Sequence, residues 1–438
     1  MIRKSILSGF QKFDRAQSLG GILLFGATIL AVIIANSQLS GWYENLRDTP
    51  LGIDFNRFNL TKPLIMWIND GLMAIFFFMI GLEIKRELMV GELNSPSRAA
   101  LPLIAAVGGM AFPILIFLIL NRNPQASHGW GIPMATDLAF SLAILKLLGK
   151  RVPIGLKVFL AAIAIIGDLG AVIVITLFYG SSIEWTTLAW AAIPIAILIA
   201  LSFLNFFSKY FHLLCGLIIW YIFLKSGLHP TTAGVILAFT VPLRQRTDVK
   251  TFSVKISEIA NGLKELHTEP RPLLSQGQME RIDELEEWTE RVQSPLQHLE
   301  HVLQNWVAYL IIPVFAFFNA GVAFSMDMQP DIPLVTTLAL SLFLGKSIGV
   351  MLFSFLSLKL KFAVLPEGVS FGQIAGISIL AGVGFTMSMF IANLAFVDAA
   401  TLMDSAKIGI LTGSMVSGLT GYLVLRYCRM GNSQITEK

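Results

Sequence analysis

Long apolar stretches separated by short polar links dominate the hydrophobic pattern of this 438-residue chain. Many stretches run for ~20 residues, the length that an α-helix needs to cross ~30 Å of hydrocarbon. They are continuously apolar rather than alternating, which argues against a transmembrane β-barrel. About twelve spans are predicted, near residues 18–36, 62–82, 100–120, 129–148, 153–179, 185–207, 211–224, 230–243, 303–324, 332–357, 370–397 and 405–427. The pattern predicts an all-α polytopic membrane protein with one integral membrane domain over residues 1–438.

Two segments depart from this pattern. Residues 244–302 are too hydrophilic to span a membrane, and we expect a loose loop over 244–275 followed by an amphipathic helix bent at Pro295. The apolar residues of that helix recur at roughly helical spacing: Met279, Ile282, Leu285, Val292, Leu299 and Val302. Residues 37–61 contain "GIDFNRFNL", a short alternating stretch that predicts a small hairpin.

Composition and charge agree with a membrane protein. Hydrophobic residues make up 55% of the chain and charged residues only 14%, against about a quarter in soluble domains. The net charge of +4 comes without a basic, aromatic-interleaved cluster, so nothing points to a nucleic-acid partner. Lys and Arg flank the spans on one side, whereas loops 180–184, 325–331 and 398–404 carry none. The positive-inside rule then places both termini and loop 244–302 in the cytoplasm and loop 37–61 outside.

Four ionisable residues interrupt the apolar spans: Asp70, Asp137, Asp168 and Lys346. Each costs roughly 2.5–3.5 kcal/mol at bilayer depth, and such residues usually mark function. Architectural roles are the alternative: Asp70 can bond a neighbouring helix, and Asp137 and Lys346 can neutralise helix ends. Asp168, in "AIAIIGDLGAVIVI", has no polar side chain within a turn, so it needs a partner from another helix, a water-filled cavity or a bound cation.

Two spans carry helix-breaking residues beside polar ones. "GIPMATD" ends in Thr136 and Asp137, and "GVGFT" contains Gly382 and Gly384. Interrupted helices in corresponding halves of a chain are the sequence mark of an inverted-repeat transporter, with its site where the breaks cross near the midplane.

Seven motifs in order resemble the NhaA-type sodium/proton antiporters of bacteria, from about residue 15 to 427. They are "WINDGLMAIFFFMIGLEIKREL", "PMATDLAF", "RVPIGLKVFLAAIAIIGDLGAVIVI", "KSGLHPTTAGV", "LEHVLQNWVAYLIIPVFAFFNAGV", "GKSIGV" and "GVGFTMSMFIA". The resemblance implies twelve helices in the inner membrane with the fourth and eleventh interrupted. It also implies export of Na⁺ and Li⁺ in exchange for protons, regulation of cytoplasmic pH and sodium, and a homodimer joined partly by loop 37–61.

The resemblance also assigns residues. Asp168 matches the cation-binding aspartate of the fifth helix, Thr136 and Asp137 match the interrupted fourth helix, and Lys346 matches the buried lysine of the tenth. Asp168 and Thr136 are the expected Na⁺ ligands, and the transported ions are the only small molecules implied. Residues tied to pH response or gating are Glu83, Arg86, Glu87, His229 and Glu300.

One departure bears on coupling. The family usually has two adjacent aspartates in the fifth helix, and here the first position is Gly167. Three outcomes stay open. In the first, Lys346 pairs with Asp168 and one proton is exchanged for one cation. In the second, Lys346 itself releases a second proton. In the third, transport is impaired or the protein transports another substrate.

Two other functions were weighed. An intramembrane aspartyl protease needs Gly-x-Gly-Asp, but Ile165 stands where the first glycine belongs. An organic-anion transporter needs cations beside the crossing helices, and Lys346 is the only candidate, with Asp137 and Asp168 against it. The sequence favours an antiporter in which one carboxylate holds either a proton or Na⁺.

Overall fold

The apolar runs form long helices in a computed structural model of the protein. The structure describes residues 2–55, 58–180, 182–204, 206–245, 247–266, 273–324, 329–366, 368–397 and 399–428. Within these residues, seven helices are individually long and apolar enough to cross a membrane, and ten when each sharply bent pair counts as one span. The predicted all-α membrane fold is therefore confirmed, and the count of twelve spans stays a prediction.

Most helices follow one another with short links. The helices up to the middle of the chain are α1 (Ile2–Ala35), α2 (Ser40–Asp48), α3 (Leu64–Met89), α4 (Pro96–Leu120), α5 (Leu138–Leu147), α6 (Ile154–Phe178), α7 (Trp185–Phe203), α8 (Lys209–Ser226) and α9 (Thr231–Thr240). The later helices are α10 (Val249–Glu265), α11 (Gln276–Val292), α12 (Pro295–Ala320), α13 (Ile332–Lys359), α14 (Phe371–Leu380), α15 (Phe385–Ala395) and α16 (Ala400–Tyr427). Short 3-10 helices cover Glu92–Asn94, Pro124–Met134 and Gly149–Arg151.

The segment between α1 and α3 contains a β-hairpin. Strands β1 (Pro50–Phe55) and β2 (Phe58–Pro63) pair antiparallel, with Pro50 opposite Pro63. This is the stretch in which the alternating pattern predicts a hairpin, and helix α2 before it was not predicted. We call the end of the molecule that carries β1 and β2 the hairpin side.

The hydrophilic segment is more ordered than predicted. The expectation of a loose loop is wrong over Val249–Glu265, because Asp248 caps α10 by accepting a hydrogen bond from the backbone N–H of Thr251 at 3.1 Å. The predicted amphipathic helix is confined to α11. Pro295 does not bend it; it begins α12, since proline fits the first turn of a helix.

The membrane helices pack in two groups. The first, called the α3 group, contains α3, α7, α8, α9 and α12. The second, called the α4 group, contains α4, α6, α13, α14, α16 and the short helices α5 and α15. Helix α1 contacts both groups, through α12 and α5. Small residues allow close approach within the groups: a Cβ at Gly81 of α3 would lie only 2.7 Å from the Cβ of Ala238 on α9.

Both predicted helix breaks are present. The 3-10 helix Pro124–Met134 meets α5 at a bend of 52°, and α14 meets α15 at a bend of 40°. At the second break, a Cβ on Gly382 would lie 2.5 Å from the carbonyl oxygen of Leu342. Only glycine allows this close approach of α13 to the break.

Candidate ion-binding site

The two helix breaks meet and satisfy each other's backbone. The N–H of Asp137 donates to the carbonyl oxygen of Val383 at 2.7 Å. The hydroxyl of Thr136 donates to the carbonyl oxygen of Ala381 at 3.1 Å. Irregular backbone at membrane depth is tolerated only where such partners are found inside the protein. The meeting point therefore holds the two interrupted spans in one place.

Asp137 lies at the start of both short helices. One carboxylate oxygen accepts a hydrogen bond from the N–H of Phe140 at 2.9 Å. The other accepts from the N–H of Thr386 at 3.1 Å and from its hydroxyl at 2.7 Å. A carboxylate stabilises helix N-termini, where N–H groups point outward unpaired. With three donors engaged, the architectural alternative for Asp137 is favoured over direct contact with a transported ion.

Lys346 occupies the complementary position. Its Nζ donates to the carbonyl oxygen of Met134 at 2.5 Å and to the hydroxyl oxygen of Thr136 at 2.7 Å, and its side chain is buried. Met134 is the last residue of the 3-10 helix, so the ammonium group neutralises the carbonyl end of that helix. Lys346 directly follows a π-helical turn, Ser341–Gly345, a local irregularity often found at functional positions.

Asp168 is placed differently from Asp137. Its side chain is 7% exposed in the middle of α6, and its Oδ1 has no hydrogen-bond partner among the described residues. It also makes no ion pair within 4 Å in that part of the chain, Lys346 included. A buried carboxylate without donors strongly favours binding a proton or a cation.

The space beside Asp168 differs on its two glycine flanks. A Cβ built on Gly167 would meet no atom within 4 Å, whereas one on Gly170 would run into the sulfur of Met110. Position 167 therefore borders open space although the residue itself is buried. A side chain at this position has room on the helix surface one residue before Asp168.

Four of the residues predicted for pH response lie together at the end opposite the hairpin side. Arg86 donates from Nε to both carboxylate oxygens of Glu300 at 3.0 Å, and its guanidinium lies 2.8 Å from Glu87. Glu83 is buried one turn earlier on α3. The spacing of Glu83, Arg86 and Glu87 on one helix predicted their proximity. Glu300 comes from α12, 214 residues away from Arg86, and was assigned only by the resemblance.

His229, the fifth such residue, lies on the hairpin side, in the link between α8 and α9. Its Nδ1 is 2.7 Å from the hydroxyl of Thr231, and its Nε2 is 3.9 Å from Asp70. Asp70 in turn accepts a hydrogen bond from Lys62 of β2 at 2.7 Å. Burial lowers the pKa of His229 to about 4, Asp70 acts to raise the pKa, and Lys62 acts to lower it. The ring is therefore neutral at physiological pH.

Comparison with known proteins identifies the family of the chain. The family model described as Na+/H+ antiporter 1 matches residues 11–425. The chain belongs to the Na+/H+ antiporter 1 family. Among similar proteins, Na(+)/H(+) antiporter NhaA of Oleidesulfovibrio alaskensis is 44% identical over 97% of this chain and 95% of its own length. The proteins of the same name from Helicobacter pylori and Bacteroides fragilis are 46% and 42% identical, over 95% and 97% of this chain and 94% and 98% of their own lengths. The sodium proton antiporter MjNhaP1 from Methanocaldococcus jannaschii aligns over 96% of each chain at 12% identity, with a TM-score of 0.46, a likeness too weak to support an inference.

Sequence reasoning missed an asparagine network in this family member. Asn319 on α12 donates to Asn69 on α3 at 2.9 Å and accepts from Asn393 on α15 at 2.7 Å. Asn319 is 2% exposed, so the network is part of the interior on the hairpin side. The sequence does place these amide side chains within apolar spans, where such groups commonly form hydrogen bonds between helices.

Replacing Asp137 by Asn should destabilise the fold. An amide nitrogen cannot accept hydrogen bonds, so at least one of the three donors around Asp137 loses its partner, and we expect the free energy of unfolding to fall by about 1–3 kcal/mol. Thermal unfolding in detergent measures the change, with Asp283→Asn as a control because Asp283 is exposed on α11. Equal midpoints for Asp137→Asn and wild type would contradict the architectural role.

His229→Gln should leave the pH profile of exchange unchanged between about pH 6 and pH 9, because the neutral ring does not titrate in this range. Burial opposes protonation of the ring, so its contribution to stability is present above pH 6.5 and is lost as the pH falls toward 4. Acid-induced unfolding should therefore begin at lower pH in the variant than in wild type. A shifted activity profile in the neutral range would show that this interpretation of His229 is wrong.

Proposed function

We propose that this chain exports Na⁺ in exchange for protons, with the carboxylate of Asp168 binding one ion or the other. The single observation that carries the proposal is that Asp168 alone among the acids at the crossing has an oxygen without a donor in the described residues. The family match favours transport over the proteolytic and organic-anion alternatives. Na⁺ and H⁺ are then the cargo, and Li⁺ is the expected substitute for Na⁺.

Hard oxygen ligands near Asp168 suit a small cation. Thr136 donates its proton to Ala381 and accepts from Lys346, which leaves one lone pair of its oxygen for an ion. In the proposed cycle, Asp168 facing the acidic exterior takes a proton and releases Na⁺. Facing the cytoplasm, it releases the proton and takes Na⁺. Alternating exposure of one site moves the two ions in opposite directions.

Gly167 and Lys346 determine the proposed number of protons exchanged for each Na⁺. The family usually has two adjacent aspartates here, and this chain has only the second, Asp168. Lys346 bonds to Met134 and Thr136 and not to Asp168. We therefore propose that Lys346 keeps its charge throughout the cycle and that one proton is exchanged for one Na⁺. Such exchange moves no net charge across the membrane.

Location and assembly extend this proposal. The excess of Lys and Arg on one set of flanks supports a bacterial inner-membrane protein with both termini in the cytoplasm and the hairpin side outside. The hairpin of β1 and β2 has only two strands, which are marginally stable alone, and this supports pairing with the hairpin of a second copy. Membrane lipid and that second copy are the proposed partners.

The Arg86 cluster supports control by pH from the cytoplasmic end. Arg86 of α3 pairs with Glu300 of α12 beside Glu83 and Glu87, so protonation of Glu300 would weaken the contact between these helices. A solvated helix end without a sensing role is the alternative. Unchanged pH dependence in Glu300→Ala would favour that alternative.

Asp168→Asn should abolish exchange without lowering stability, because no described donor loses a partner. The measurement is collapse of a preset pH gradient on addition of Na⁺ to reconstituted vesicles. Glu286→Gln, at an exposed position on α11, is the matched control and should keep wild-type exchange. Exchange that persists in Asp168→Asn would overturn the proposal.

Gly167→Asp should make exchange sensitive to membrane voltage, because it places a second titrating carboxylate directly before Asp168, at a position that has room for a side chain. Wild type should run at the same rate with and without a voltage clamp. Gly167→Asn, similar in size but uncharged, should behave as wild type. A wild-type rate that already depends on voltage would contradict one-for-one coupling and point to a second proton from Lys346.

A further inference from the structure

A polar contact lies between Asp168 and the hairpin side. Along the Asp168 face of α6, Val172 follows after one turn and Thr176 after two. The hydroxyl oxygen of Thr176 lies 3.0 Å from that of Thr232 on α9 and 2.7 Å from the carbonyl oxygen of Val172. A hydroxyl has one proton, and Thr176 donates its proton to Val172, so Thr232 is the donor in the pair.

A narrow gap accompanies this contact. It lies between α3, α6 and α9 and has no room for a water molecule. Its lining is mainly apolar: Phe77, Val172, Ile175, Thr231 and Thr232. The Thr231 hydroxyl already bonds to His229, so Thr232 and the adjoining Thr176 are the other hydroxyl groups at this gap.

The threonine pair also crosses the boundary between the two helix groups. Thr176 belongs to the α4 group through α6, and Thr232 belongs to the α3 group through α9. The hydrogen bond from Asn393 to Asn319 crosses the same boundary on the hairpin side. A third contact across the boundary joins the ring of Phe390 on α15 to that of Phe77 on α3, with ring centres 5.4 Å apart. In this structure the groups are therefore joined on the hairpin side of Asp168.

We propose that Thr176 and Thr232 line the passage from Asp168 to the hairpin side and that their hydroxyl oxygens bind Na⁺ transiently when the two groups part. This inference rests on the proposed exchange of Na⁺. An ion leaving water for an apolar passage needs oxygen ligands in place of its hydration shell. While the groups are joined, the hydrogen bond occupies both hydroxyls. When the groups separate, two oxygens become free at the same point.

The access of a reagent to the proposed passage can be tested without measuring ion transport. Val172→Cys serves as the reporter in a chain that also carries Cys215→Ser and Cys428→Ser, and a membrane-impermeant thiosulfonate is added on the hairpin side. Thr232→Val keeps the shape but removes the hydroxyl, and we expect about two- to tenfold faster labelling from the loss of one hydrogen bond. Thr232→Ser retains the donor and should label at the original rate. The matched control is Thr240→Val, because Thr240 is buried on the same helix and its hydroxyl bonds, among the described residues, only to Leu237 of that helix.

Contact with the ion is tested by kinetics. In Thr232→Val and Thr176→Val we expect the KM for Na⁺ applied on the hairpin side to rise severalfold with a smaller change in kcat, and Thr232→Ser to restore the KM. Equal labelling rates in wild type, Thr232→Val and Thr232→Ser would overturn the passage, and an unchanged KM would overturn the ion contact. If wild type moves no Na⁺ at all, the proposed function fails, whereas the labelling rates still decide the passage.

Discussion

The structure depends on satisfying the backbone groups that two broken helices leave free inside a membrane. Hydrocarbon supplies no hydrogen bonds, so each break needs partners from within the protein. Asp137 binds the N–H groups at the start of α5 and α15, and Lys346 binds the carbonyl end of the 3-10 helix. Opposite charges thus sit on opposite helix ends, where each is favourable.

This use of charge determines what remains for ion exchange. Asp137 has three hydrogen-bond donors and Lys346 has two acceptors, so both are engaged by the fold. Asp168 lies in the middle of the regular helix α6 of the α4 group, and its Oδ1 makes no hydrogen bond to the described residues. A carboxylate that holds no structural hydrogen bond can gain and lose a proton, or a cation, without disturbing the helices. The proposed mechanism therefore depends on Asp137 and Lys346 stabilising the fold while Asp168 exchanges ions.

The sequence predicted features that depend on local pattern. The apolar runs, both helix breaks and the isolation of Asp168 within its span follow from residues close together in the chain. The prediction of a loose loop fails at α10, which begins after the cap at Asp248, and the predicted bend at Pro295 is instead the start of α12. Such errors arise because capping residues and prolines act at helix ends whose positions hydropathy does not define.

By itself, then, the sequence determined that this is a helical membrane protein with two interrupted spans and one lone acid, since membrane length and hydrogen-bond demand leave few alternatives. Only the tertiary structure decided which polar groups meet. Several contacts join helices that are far apart in the chain: Arg86 pairs with Glu300, Thr176 pairs with Thr232, and Lys346 bonds to Met134 and not to Asp168. The reason is physical: contacts between helices depend on their packing and rotation, and the pattern along a single helix does not contain that information.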